Sequence, residues 1–136
     1  MKNVVIALSL AVIFAGCQKK IEQIKENAVI SAMTDGQWVI TNFVNDGNVI
    51  TSDFSNYKFQ FYSNKTVDAI NNGAVEKTGT FDGDASTMTI TANFPNAGST
   101  LALINGGWHI DNSSWTYVVA SQPAGSQTKT LRLEKL

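Results

Sequence analysis

The chain has 136 residues, 43% of them apolar and 15% charged, with a formal net charge of −1. That length makes one domain the default, able to bury roughly two-thirds of its unfolded surface. Low charge with ordinary hydrophobicity argues against a disordered or nucleic-acid-binding chain, and a single cysteine excludes an internal disulfide framework or a cysteine-clustered zinc site.

Met1-Lys2-Asn3 places one positive side chain ahead of an apolar-to-small run from Val4 to Ala15. At about twelve residues the run is shorter than the eighteen or more that a membrane-spanning helix needs, and it reads as the h-region of a secretory signal peptide. It ends in Phe14-Ala15-Gly16-Cys17, which resembles the lipobox of bacterial lipoproteins, with Phe14 where Leu is usual. The resemblance implies cleavage before Cys17 and acylation of its sulfur and new amino group. An ordinary signal peptide with an incidental cysteine is the competing reading. Cleavage removes Lys2 and leaves nine basic against eleven acidic residues, a mature charge of −2. Two or three acyl chains anchor stably where one would not, and Lys19 and Lys20 would lie over acidic headgroups. Gln18 stands where an Asp would resemble the inner-membrane retention signal of enterobacteria, which favours the outer membrane. The expected division is a signal peptide over 1–16, a lipid-anchored tether and short helix over 17–34, and a β-barrel over 35–136.

Ile21, Ile24 and Ala28 recur at helical spacing, which predicts two or three turns, partly docked. After Thr34-Asp35-Gly36 the period changes to that of strands. Trp38 to Val44 alternates loosely, Asn45-Asp46-Gly47-Asn48 is a hairpin turn, and Val49-Ile50-Thr51 can return as a short strand. Tyr57 to Tyr62 alternates with Tyr57, Phe59 and Phe61 on one face. Further strands are predicted at Thr66–Ile70, Ala74–Phe81 and Thr87–Ala92, with turns at Asn71-Asn72-Gly73 and Asp82-Gly83-Asp84. Residues 93–105 are the least regular. Strands follow over Gly107–Ile110, Trp115–Ala120 and Thr130–Leu136, with a loop around Pro123-Ala124-Gly125-Ser126. This spacing predicts an all-β, antiparallel up-and-down barrel of about eight strands behind a short N-terminal helix. Closure removes exposed edges.

Gly36-Gln37-Trp38 on the first strand, behind a short helix, looks like the Gly-x-Trp signature of lipocalins. The stretch from Gly36 to Leu136 resembles the small lipocalin-like lipoproteins common in Bacteroidota, with its aromatic strand Tyr57–Tyr62, Gly79-Thr80-Phe81, a second Gly-x-Trp at Gly106-Gly107-Trp108 and a closing Leu131-Arg132-Leu133. The resemblance implies a structural set of Gly36, Trp38 and Arg132, with the arginine packing over the indole of Trp38. It also implies a binding module, although the domain is smaller than typical lipocalins and their deep cup.

No catalytic constellation can be assembled. There is no Gly-x-Ser-x-Gly, His-Glu-x-x-His, phosphate-cradling loop or Cys-x-x-Cys, so no enzyme is expected. His109 falls opposite Trp108 and Ile110 on its strand, hence outward. Asp82-Gly83-Asp84-Ala85-Ser86 resembles half a calcium loop but lacks the glycine and bidentate glutamate that would complete it. No metal or cofactor is expected.

The aromatic side chains remain. Trp38, Tyr57, Phe59, Phe61, Trp108, Trp115 and Tyr117 fall largely on apolar faces, with Met88 and Ile90. They either line a cup for a small apolar or aromatic ligand, the candidates being Tyr57, Phe59, Phe61, Met88, Trp108 and Tyr117, or fill a solid barrel. In the second case residues 93–105 and 121–128 would contact another envelope protein. The partners expected are the membrane through Cys17, a small hydrophobic ligand and, on the alternative, an envelope protein; nucleic acid is not among them.

Overall fold

The computed structural model describes residues 27–124 and 127–136; Cys17, Ile21 and Ile24 lie outside them. Residues 27–34 are helical. Val29, Ala32 and Met33, at i, i+3 and i+4, turn toward the barrel, with Ala32 and Met33 buried. Nine strands follow among the described residues: β1 (Gln37–Asn45), β2 (Asn48–Val49), β3 (Tyr57–Phe61), β4 (Thr66–Asn71), β5 (Ala74–Asp84), β6 (Thr89–Asn93), β7 (Gly106–Ser113), β8 (Tyr117–Ala124) and β9 (Gln127–Lys135). Each pairs with its neighbour in sequence, except that β1 pairs with both β2 and β3, and β9 returns to β1. The two-residue β2 is a flap on β1. The other eight strands form a closed antiparallel barrel, sealed by a register running from Trp38↔Lys135 to Asn45↔Lys129.

Local chemistry sets the corners. The turns at Asp46-Gly47 and Asn72-Gly73 have positive φ at both central residues, the backbone that twists two-residue hairpins correctly. The predicted return of Val49-Ile50-Thr51 shrinks to β2, because Thr51–Phe54 forms a 3-10 turn that buries Phe54 against Phe43, ring centroids 4.8 Å apart. Asp82-Gly83-Asp84 is not a turn: β5 continues through it, with Gly83 opposite Ile90, and the chain reverses over 85–88. The predicted loop over 121–128 is likewise largely strand, with Pro123 paired to Thr128 at the end of the ladder.

Both ends of the barrel are finished by the same device. At one end the helix leads through Gly36 (φ +85°) into β1, and the Trp38 indole N–H donates to the Met33 carbonyl at 2.9 Å. At the other end the 3-10 turn Leu101–Ile104 leads through Gly106 (φ +107°) into β7, and the Trp108 indole N–H donates to the Ile104 carbonyl at 2.7 Å. A lysine of β9 stands over each ring: Lys135 Nζ lies 5.3 Å from the Trp38 centroid and Lys129 Nζ 5.6 Å from that of Trp108. The two Gly-x-Trp motifs are thus one local solution used twice.

The cation over Trp38 is therefore not Arg132. Leu131 and Leu133 point inward on β9, so parity sends Arg132 outward and brings Lys135 in. Arg132 stacks instead on Tyr117, its Cζ 4.4 Å from the ring centroid, and lies 3.4 Å from Glu134.

A candidate binding groove at the helix end

Inside, the barrel is nearly full. Phe61 meets Phe81 edge-on at 5.0 Å, and Phe43 meets Trp108 edge-on at 6.0 Å. What remains is an apolar void of about 60 Å³ lined by residues that include Phe59, Phe61, Phe81, Ile90, Trp108 and Leu131. Ligand pockets hold roughly 300–1,000 Å³, so this void is packing slack and not a cup.

The far end is sealed. Phe94, Leu101 and Ile104 are buried. Asn105 clamps Phe94 by two hydrogen bonds, of 2.7 and 3.2 Å. Gln122 donates to the carbonyls of Asn105 and Gly107, at 3.1 and 3.0 Å. Lys129 reaches in from β9 to donate to the Leu103 carbonyl at 2.8 Å, and its burial holds its pKa below the usual lysine value. The stretch 93–105, expected as an exposed contact loop, is the plug of this end.

The helix end is closed less completely. Between the helix and the rims of β5, β6 and β7 runs a groove of about 350 Å³. Ala28, Val29, Ile30 and Met33 form one wall; Phe81, Gly83, Ile90 and Ile110 form the other, with Asp84, Ala85, Met88, Thr89 and Ser113 at the rim. A smaller cleft of about 190 Å³ lies on another side of the helix, between Ala28, Trp38 and Trp115. Met33 and Ile90 line both spaces and the interior void, so these two side chains separate mouth from core.

Gly83 explains why the groove is open. It shares the inward parity of Gly79 and Phe81, and a Cβ built on it would meet nothing within 4 Å. Any larger residue there would project into the space. The rim is acidic where it is charged: the Ser86 hydroxyl and backbone N–H bind Asp84 and hold its carboxyl below the usual range. No basic side chain lines either space.

The residues picked out in the sequence divide accordingly. Phe59, Phe61 and Trp108 line the interior void. Met88 stands at the groove rim, 45% exposed, in a turn with φ +53°. Tyr57 and Tyr117 line none of these three spaces. Tyr117 faces outward under Arg132, and Trp115, expected on an apolar face, is 61% exposed in the loop between β7 and β8. The helix residues and Gly83 were missed; the Val29, Ala32, Met33 spacing was the available signal.

Tyr57 belongs to a cross-strand network. Its hydroxyl donates to Glu76 at 2.6 Å, and Asn71 donates to the same carboxylate at 3.1 Å. Burial, then the bond to Glu76, pushes its pKa from 10.0 up to about 12. The unfolded chain loses this proton near pH 10 and the folded chain near 12, so stability falls as pH rises between them. The expected loss is about 2–3 kcal/mol. Urea titrations across that interval should show a larger loss in the wild type than in Tyr57→Phe.

His109 is exposed, with Nδ1 3.0 Å from Asp111 Oδ1, and that bond holds the Asp111 carboxyl below its usual range. The pair stands on the outer face of β7 and lines none of the three spaces described above. Among the described residues no three His, Cys, Asp or Glu side chains converge as metal ligands, and no helix is long and apolar enough to cross a membrane.

A solved structure of a DUF4847 family protein from Bacteroides vulgatus is similar to this chain, with a TM-score of 0.55 at 12% identity, covering 78% of this chain and 96% of that one. No family model matches the chain, and no curated protein matches it. At that identity the likeness carries the barrel fold alone.

Proposed function

We propose that the protein is a lipid-anchored binding module of the bacterial cell envelope, held at the outer membrane through Cys17, that takes a small apolar or aromatic molecule into the groove beside the N-terminal helix. The groove itself carries this reading. It has the volume of a ligand site, apolar walls from three strands and a helix, and a glycine where a side chain would fill it. An acidic rim without a basic partner favours a neutral or amine-bearing ligand over a fatty acid, whose carboxylate would face Asp84. Support for the anchor comes from the sequence Phe14-Ala15-Gly16-Cys17 behind a short apolar run.

A neutral aromatic probe, N-phenyl-1-naphthylamine, tests the site. Wild type should enhance its fluorescence at one saturable site. Gly83→Phe should weaken that binding by about tenfold, or 1.4 kcal/mol, while its melting temperature stays level or rises. Unchanged probe affinity in Gly83→Phe contradicts the assignment. The anchor has its own test. Wild-type protein should fractionate with membranes and carry acyl mass at Cys17, and Cys17→Ser should move to the soluble fraction. A Cys17→Ser protein that stays membrane-bound removes the lipoprotein reading.

A second reading keeps one observation in its favour. The interior void of about 60 Å³ is what a solid-core barrel acting as a component of an envelope complex would have.

A further inference from the structure

Among the described residues, the large apolar side chains left exposed are not spread evenly over the barrel. Tyr62, Met88, Trp115 and Leu136 all lie at the helix end, in the loops joining β3 to β4, β5 to β6 and β7 to β8 or just beyond β9; Val49 and Val75 lie at the other end. Met88 and Trp115 flank the helix at Ala28, which lines the groove with Met88 and the cleft with Trp115. This is the end at which the chain enters from its N-terminal segment. Nine residues, 18–26, lie between Cys17 and the first described residue of the helix. Fully extended they span about 30–32 Å, so anchored lipid would hold this end within one barrel length of the bilayer.

We propose that the helix end docks on a phospholipid surface, with Trp115 and Met88 inserted at the headgroup level and the groove mouth opening onto the lipid. The proposal rests on the anchor at Cys17 for its local concentration and on the exposed side chains for its orientation. An exposed indole on a loop is the side chain best suited to a membrane interface, apolar in body and polar at its N–H. Among the described residues at this end, charge does not drive the contact. Lys65 and Lys135 at this end are engaged by Asp82 and Asp35, at 2.9 and 3.4 Å, and Asp84 adds a negative rim. With acyl chains at Cys17 holding the chain at the surface, the seating of this end by apolar insertion is therefore insensitive to salt, unlike binding by a basic patch. With its mouth on the bilayer, the groove exchanges apolar ligand with lipid directly.

Trp38 and Trp108 are 0% and 3% exposed, so Trp115 alone can report contact with lipid. The test uses the acylated full chain in vesicles of phosphatidylethanolamine and phosphatidylglycerol bearing brominated acyl chains. Quenching should remove the same share of tryptophan emission that Trp115→Phe removes, and raising salt should leave it unchanged. Met88→Asp, a residue type that tolerates the local positive φ, should reduce the quenching without lowering the melting temperature. Acylated protein whose emission the bromines do not quench overturns the docking and leaves the anchor standing, with a protein partner then the occupant of this face. If mass spectrometry finds Cys17 unmodified, the anchor fails separately. The docking is then judged by adding the same vesicles in excess, and absence of quenching there overturns it too.

Discussion

Trp38→Ala is expected to lower the unfolding free energy by about 3–5 kcal/mol, the range for removing a fully buried aromatic side chain. Three interactions go with the ring. It is 0% exposed, it ties β1 to the preceding helix through the bond to the Met33 carbonyl, and it carries the Lys135 ammonium over its face. The cavity left behind would lie beneath Met33, so the helix should loosen along with the global loss. Urea unfolding followed by circular dichroism gives the first effect. Faster amide exchange over residues 29–34 gives the second. Trp38→Phe separates the contributions, keeping most of the packing while leaving the Met33 carbonyl without its donor.

Gly79→Ala is expected to cost about 1–3 kcal/mol or more, as overpacking does in a close-packed interior. A Cβ at Gly79 would run into the Asn93 carbonyl oxygen and stand 2.7 Å from a Phe94 ring carbon. The carbonyl is backbone at the end of β6, and the Phe94 ring is buried in the packed core, so neither can withdraw cheaply. Gly83→Ala supplies the internal control. On the same strand and the same face, its Cβ meets nothing within 4 Å, so its melting temperature should equal or exceed that of the wild type. Equal destabilisation by the two alanines would mean that strand propensity, and not the close approach at Asn93 and Phe94, governs both sites.

The pair also shows what could and could not be read from the residues. The barrel was legible because period-two alternation and positive-φ turn residues are local signals: Tyr57, Phe59 and Phe61 share a face, and Asp46-Gly47 turns the chain wherever it sits. Strand ends were less legible. Asp82-Gly83-Asp84 has the composition of a turn, but its glycine serves by lacking a side chain next to Ile90. The role given to Arg132 failed on parity. Its neighbours Leu131 and Leu133 already took the inward positions, which left Lys135 to reach Trp38. The aromatic residues suggested a cup in the middle of the barrel, and they fill it instead. The open space depends on where one helix comes to rest against three strand rims, a long-range placement that no local pattern encodes.

On the proposed function, the groove beside the helix holds a small apolar molecule. Native mass spectrometry of the mature chain, incubated with a lipid extract of the source cell envelope, addresses it most directly. One small molecule, neutral or amine-bearing, should be retained per chain and be lost in Gly83→Phe. A wild-type barrel that stays empty across extracts, or an adduct that Gly83→Phe retains equally, would contradict it.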